Sequence, residues 1–432
     1  MTKHTKIIRI AVLAEEPLGW PSGKHYFPII LNDYSWTVNN KRYLFSTQYI
    51  YDKDIIHGKL NTNKYDVLLV PGGGVGDAEA IVKSFNFSRK VRRWRKNIKT
   101  FIEEGGGYIG ICGGVTLFTG FHREKDKKNI SFFEKHFNEK SIGISCVKHY
   151  YNKITFRFLL PFQKNPDEIG AISYVFSFAP GKTKDKKFIH CAGVPVDFRI
   201  LKNNPIFSDY KKDTLRIRWW GGPALKIPKN NNREIKILAR YPKNDFSTDS
   251  KTSIFAWRYE GGFYGLIRSL FKSLKFIKKN DGSLKNLLMY IYYFATPWKK
   301  TDKKIDLDFS DRPSIVTEIY PNNKKGRIVL CTSHPEYMVW WEGFIDEVEE
   351  NGENCVADGF HRWNDIKSLS KDLLKELTYT WWVVRRLSAW CGKVPDKDLP
   401  PISKETSTDE IKKIIRQNIF WDGTLKNQIK NI

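Results

Sequence analysis

The run Gly105-Gly106-Gly107-Tyr108-Ile109-Gly110-Ile111-Cys112-Gly113-Gly114 constrains this chain more than any other feature. It sets a cysteine at the end of a short apolar strand with glycine on both sides. Only glycine neighbours leave room for a sharp strand-to-helix turn at such a point. The turn lifts the sulfur above the C-terminal edge of a sheet, and a helix starting behind it favours the reactive thiolate. The spacing predicts a strand over Tyr108–Ile111, Cys112 at its tip and a helix opening from Gly113-Gly114. The N–H of Gly113 then faces any oxyanion formed on a bound carbonyl.

The surrounding pattern supplies the sheet that such a turn needs. Residues 7–13 (IIRIAVL) and 66–70 (DVLLV) are apolar runs of strand length, as expected of strands covered on both faces. The second runs into Pro71-Gly72-Gly73-Gly74, a loop able to bring a further backbone N–H to the same oxyanion. Over residues 91–104, Val91, Trp94, Ile98, Phe101 and Ile102 recur at helical spacing opposite a basic face. Strand, glycine-rich loop, helix and strand in that order indicate an α/β chain with a parallel sheet. Residues 154–160, 172–178, 215–225, 234–241 and 253–262 read as β elements, 326–332 as a strand, and 368–391 as a long helix.

A second chemical group follows the strand at 326–332: Ser333-His334-Pro335-Glu336. Histidine is the natural general base for a thiol, and a carboxylate two residues on can orient it. Strand ends from distant parts of a chain meet at one edge of a parallel sheet, so Cys112, His334 and Glu336 are expected to converge.

Composition narrows the remaining classes. With 41% hydrophobic and 14% aromatic residues, the chain has ample apolar surface to order itself. Lys plus Arg number 73 against 47 Asp plus Glu, a net charge of +26. The lysines are scattered, which reads as overall composition and not as a nucleic-acid-binding stripe. None of the six cysteines forms a CxxC pair, and His149, His190 and His361 stand without partners at ligand spacing, so no metal and no cofactor is expected. Cys331, inside the strand at 326–332, reads as a core thiol. The basic start is followed by an apolar stretch broken by Arg9 and closed by Glu15 and Glu16, a first strand and not a signal peptide; a cytoplasmic setting is expected. Residues 263–279 pair Leu, Ile and Phe with Lys and Arg. They read as a helix packed on the domain with its Lys face in water, in preference to contact with a membrane surface.

Taken in order, PGGG, GGGYIGICGG and SHPE resemble the class I glutamine amidotransferase superfamily, whose members use a Cys in a G-x-C-x-G elbow and a His-x-Glu pair. Within it the chain is most similar to the group named after the N-terminal domain of some biotin-protein ligases. The form of the elbow and Trp219-Trp220-Gly221-Gly222-Pro223, similar to that group's aromatic-Gly-Gly-Pro element, carry this. The resemblance spans roughly 6–120 and 210–345. It implies a flavodoxin-like three-layer α/β sandwich with a central parallel sheet. It also implies a Cys112 nucleophile, a His334 base, an orienting Glu336, oxyanion donors from Gly73 or Gly74 with Gly113, and a substrate wall at Trp220, Gly221 and Gly222. In some branches a Glu after the first strand contacts the thiol, a part open to Glu15 or Glu16. The implied substrate is a small amide, glutamine by family default. No ATP-pyrophosphatase loop and no biotin-ligase signature is present, so a free-standing hydrolase or a subunit serving a separate synthase is implied. The expected organisation is one extended domain over 1–393, with core segments 6–120 and 326–393, an inserted β/α region over roughly 121–325, and a tail over 394–432.

Overall fold

In the computed structural model the apolar runs become the inner strands of one large sheet. The structure describes residues 5–14, 21–72, 89–122, 142–150, 180–182, 188–190, 194–219, 222–244, 255–259, 262–279, 287, 298–304, 307–336 and 380–402. The first four strands are β1 (Thr5–Leu13), β2 (Ser35–Val38), β3 (Lys41–Ile50) and β4 (Val67–Val70). They are joined by β5 (Gly107–Ile111). The short strands β6 (Gly120–His122), β7 (Lys148–Tyr150), β8 (Pro180–Lys182) and β9 (Phe188–His190) follow, then β10 (Val194–Ile200), β11 (Thr214–Trp219), β12 (Ala224–Lys226) and β13 (Ile235–Arg240). The last are β14 (Phe255–Tyr259), β15 (Trp298–Lys304), β16 (Pro313–Ile319) and β17 (Arg327–Cys331).

Among the described residues the main sheet has ten strands in the order β11-β10-β13-β16-β17-β5-β4-β1-β3-β2. From β17 through β5, β4 and β1 to β3 every pairing is parallel. Outside that set every pairing is antiparallel: β16, β13, β10 and β11 extend one side and β2 closes the other. The sheet is therefore mixed, where a central parallel sheet was expected. The cause is chain length between strands. Parallel neighbours need a long crossover, whereas Ile319 reaches Arg327 through a short turn and must return antiparallel. Strands of the 121–325 region thus continue the sheet itself.

Burial follows chemistry. All of β4 and β5 is buried, as are Ile328–Cys331 of β17, the uninterrupted apolar pattern of strands covered on both faces. In β11 the alternation returns: Leu215, Ile217 and Trp219 are buried, while Arg216 faces out and pairs with Asp197 at 2.9 Å. Three helices pack on or beside the sheet: α1 (Pro21–Leu31), the short α2 (Asp52–Ile56) and α3 (Arg89–Glu103). Trp94, Ile98, Phe101 and Ile102 are the buried stripe of α3, as its spacing requires. A fourth helix, α4, covers Gly262–Lys279, and α5 covers Trp381–Cys391. Helix α5 is buried along its whole length and packs against β5, β17 and α1. The chain stays anchored beyond it: Tyr43 Oη donates to Asp398 at 2.6 Å, and Trp36 Nε1 to the Asp398 carbonyl at 2.7 Å. The strands expected over 154–160 and 172–178 lie outside the described residues.

Candidate active site

The site is built where β5 and β17 end side by side. Their parallel register pairs Cys331 with Ile111, so the residues that follow both strands emerge at one edge. Cys112 comes directly after β5 and has φ +46°. That is the left-handed region, which costs a non-glycine residue about 1–2 kcal/mol. An elbow that forces the cysteine's backbone into this region is a strained turn held by its surroundings.

The expected helix behind the cysteine is a short 3-10 turn, Cys112–Leu117. Two glycines followed by β-branched Val115 and Thr116 are poor helix formers. Side chains also capture the carbonyls that a helix would use. The Tyr108 hydroxyl donates to the Gly114 carbonyl, Thr116 Oγ1 to Gly113 at 2.7 Å, and Thr119 Oγ1 to Val115 at 3.0 Å.

His334 and Glu336 meet Cys112 on this edge. His334 Nδ1 lies 2.7 Å from Glu336 Oε1, which leaves Nε2 as the ring nitrogen that can serve the thiol. Gly72 closes the third side. A Cβ built on it would lie 2.5 Å from His334 Cε1 and 2.8 Å from the Cys112 Cβ. Only glycine lets the β4 loop pass this close, and that contact is the direct evidence that cysteine and imidazole are neighbours. Cys112 is 5% exposed, His334 1% and Glu336 fully buried.

The backbone of the histidine loop is clamped from two directions. The His334 N–H donates to the Arg218 carbonyl at 2.7 Å, bridging the loop to β11. From the other direction, Thr380 Oγ1 donates to Pro335 at 2.9 Å and Trp381 Nε1 to the Glu336 carbonyl at 3.0 Å. Before the loop, Thr332 shares a 3.0 Å hydrogen bond with Tyr241, whose hydroxyl also lies 3.0 Å from the Pro223 carbonyl. Gly222 sits so close to Thr332 that a Cβ there would be 1.9 Å from its carbonyl oxygen. The aromatic-Gly-Gly-Pro element therefore packs against the segment that leads to His334. Trp219 is a core residue whose indole N–H donates to the Gly222 carbonyl at 2.9 Å.

Of the residues expected to act, Cys112, Gly113, Gly222, His334 and Glu336 are brought to this one edge. Gly73, Gly74, Trp220 and Gly221 lie outside the described residues, as do Glu15 and Glu16. Sequence reasoning passed over Gly72, Thr380, Trp381, Tyr241 and the Arg218 carbonyl. The side-chain hydroxyls and indole carry no motif, and a backbone acceptor has no sequence signature at all. Gly72 was in view as part of PGGG, with the donor role assigned to its neighbours instead.

Electrostatics single out His334. Burial pulls its pKa down, but negative charge at Cys112 and Glu336 and hydrogen bonds to both raise it to about 10 from 6.5. Burial pushes the neighbouring Cys331 thiol up to about 12; elsewhere, burial with the Glu318 charge pushes Cys146 up to about 11. Tyr26 and Arg218 are buried close enough to exchange charge effects, and Tyr26 also feels Glu336. Among the described residues no cluster of His, Cys, Asp and Glu could hold a metal ion.

These shifts set a pH dependence of stability. The folded state holds the His334 proton more tightly than the unfolded chain does, so its contribution is complete below pH 6.5 and is lost as pH rises towards about 10. His149 acts in the opposite sense. It is buried against Thr119 at 2.9 Å, and burial, helped by Lys148, lowers its pKa to about 3. Its contribution is present above pH 6.5 and is lost as pH falls towards 3. Urea midpoints measured across this range should fall on both flanks. Replacing His149 with Gln should flatten the acid flank and leave the alkaline one unchanged.

No family model matches the chain. No curated protein matches it either. Two solved structures align loosely. The crystal structure of SMU.1228c has a TM-score of 0.24 and 11% identity, over 54% of this chain and 67% of that one. The mmIFT52 N-terminal domain has a TM-score of 0.25 and 10% identity, over 83% of this chain and 96% of that one. Superpositions this loose carry no argument about fold or activity, so the functional reading rests on the site.

Proposed function

We propose that the chain is a Cys-His-Glu amide hydrolase of the class I glutamine amidotransferase type, on a flavodoxin-like scaffold enlarged between the elbow and the base. One observation carries the reading: Cys112, in a strained left-handed turn, is wedged with His334 against Gly72, and His334 is held at 2.7 Å by Glu336. A drifting pocket has no reason to keep a strained cysteine, a buried imidazole and a buried carboxylate together, since each is costly to maintain.

In this mechanism His334 takes the Cys112 thiol proton, the sulfur attacks the amide carbonyl carbon and the carbonyl π-electrons move to oxygen. Gly113, with Gly73 or Gly74, supplies N–H groups to that oxyanion. As the C–N bond breaks, protonated His334 gives its proton to the departing amine, and a thioester remains on Cys112. Neutral His334 then takes a proton from water, which attacks the thioester. The acid leaves and the thiolate–imidazolium pair returns. Glu336 keeps Nδ1 protonated and Nε2 facing the reaction throughout. Ammonia from glutamine would pass to a separate synthase subunit or be released. Among the described residues Cys112, Cys146, Cys331 and Cys391 form no disulfide, which suits a reducing, cytoplasmic setting.

Intact-mass labelling with a diazo-ketone analogue of glutamine tests the substrate class. The expected result is one adduct, mapped to Cys112, that free glutamine suppresses and Cys112→Ala removes. Selective labelling by a small haloacetamide but not by the glutamine analogue would keep the nucleophile and reject glutamine. The burial of Cys112 favours one rival, a closed ligand-binding module with no turnover. A Cys112 that reacts no faster than an ordinary thiol would support that rival and reject the hydrolase.

A further inference from the structure

Helix α4 turns a large part of its apolar bulk outward. Its described buried residues are small: Gly265, Ser269 and Ser273, at successive turns. Both hydroxyls bond back into their own helix, Ser269 Oγ to Gly265 at 2.8 Å and Ser273 Oγ to Ser269 at 2.6 Å. Five bulky apolar residues point the other way. Tyr264 is 83% exposed, Phe263 70%, Phe271 67%, Ile267 39% and Leu274 38%. At 3.6 residues per turn these five fall within an arc of about 100°. An ordinary surface helix turns such a stripe towards the core.

Of the eight large hydrophobic side chains exposed among the described residues, five lie on this helix. They form a patch and not the single scattered contacts normal for a protein surface. Arg268 and Lys275 meet water as expected of a basic face, but an aromatic and aliphatic arc is exposed beside them.

Charge identifies what covers it. Residues 262–279 hold Arg268, Lys272, Lys275, Lys278 and Lys279 and not one acidic residue. Arg268 and Lys275 are exposed at one border of the apolar arc. Aromatic and aliphatic bulk edged by cations, on a helix about 27 Å long, is the pattern of a segment lying in the headgroup layer of an anionic bilayer. No helix among the described residues is long and apolar enough to cross a membrane, so the contact is with the surface. We propose that α4 is a membrane-surface helix which seats Phe263, Ile267, Phe271 and Leu274 among lipid chains and sets Arg268 and Lys275 against anionic headgroups. The net charge of +26 adds long-range attraction to the same surface.

Co-flotation of the full chain with lipid vesicles tests this. Vesicles of equal parts phosphatidylglycerol and phosphatidylcholine are compared with phosphatidylcholine alone at about 0.1 M salt. At least about tenfold more protein should float with the anionic vesicles. The triple variant Phe263→Ser, Ile267→Ser, Phe271→Ser should abolish flotation while its far-UV spectrum and haloacetamide labelling of Cys112 stay unchanged. Hydrogen exchange of the wild-type chain gives a reading free of variants: anionic vesicles should slow the amides of 263–274. Absence of flotation, flotation that survives the triple variant, or unchanged exchange in α4 would overturn the proposal. So would a vesicle-free dimer that the triple variant dissolves, since the patch would then cover a second copy of the chain.

Discussion

Replacing Cys112 with glycine or alanine is expected to cut amide hydrolysis by about 10^4-fold or more, the scale on which loss of a covalent nucleophile is felt. The two variants should nevertheless differ in stability. Cys112 sits at φ +46°, where alanine retains the penalty of a Cβ in the left-handed region and glycine does not. That penalty is about 1–2 kcal/mol, partly offset by the extra backbone freedom glycine loses on folding. The glycine variant should therefore be more stable than the alanine variant by about 1 kcal/mol, read as a higher urea midpoint with an unchanged slope. Both lose the same thiol, so their difference isolates the backbone. Equal stabilities would mean that the elbow stores no strain. Activity retained in either variant would place the nucleophile elsewhere.

Replacing Glu336 with glutamine should be almost as damaging while leaving the nucleophile in place. Glu336 is buried and its Oε1 lies 2.7 Å from His334 Nδ1. A carboxylate can only accept there, so Nδ1 carries the proton and Nε2 is directed at Cys112. An amide can donate instead, which places the histidine proton on the wrong nitrogen. It also removes one of the two negative charges that raise the His334 pKa. A loss of about 10^3- to 10^4-fold in kcat is expected, together with an alkaline limb of the pH–rate profile shifted to lower pH. A rate within a few-fold of wild type, or an unshifted limb, would remove Glu336 from the triad.

The sequence displayed the parts of the fold whose chemistry is uniform. Strands β4 and β5 are buried from end to end, and β1 and β17 become so past their polar starts, because both faces are covered there; the stripe of α3 is regular because one face is. Strands that mix chemistry were hidden. Strand β16 begins with Pro313 and contains Glu318, yet it is a buried strand. Its carboxylate is satisfied by Arg233, by the Ser145 hydroxyl and by the Cys146 N–H at 3.2 Å, partners drawn from far along the chain. No local pattern announces that arrangement. Strand β10 carries Pro195, which argues against a strand until its pairing partners are known. Helix α1 contains Pro28 and was missed for a similar reason. At the site the triad was legible because glycine, cysteine, histidine and glutamate stand in a fixed order. Its supports were not: Gly222 against Thr332, and Trp381 and Thr380 under the histidine loop, make sense only once strands are paired.

The bridge between the His334 N–H and the Arg218 carbonyl has a consequence for synthesis on the ribosome. Cys112 emerges early, while the strand that anchors the base and the base itself come far later in the chain. Until β11 and β17 have both joined the sheet, no imidazole stands beside the thiol, and pairings of such long sequence separation form slowly. The nascent chain thus carries a cysteine with no imidazole beside it, and the proposed triad is complete only when the last piece of the sheet is in place.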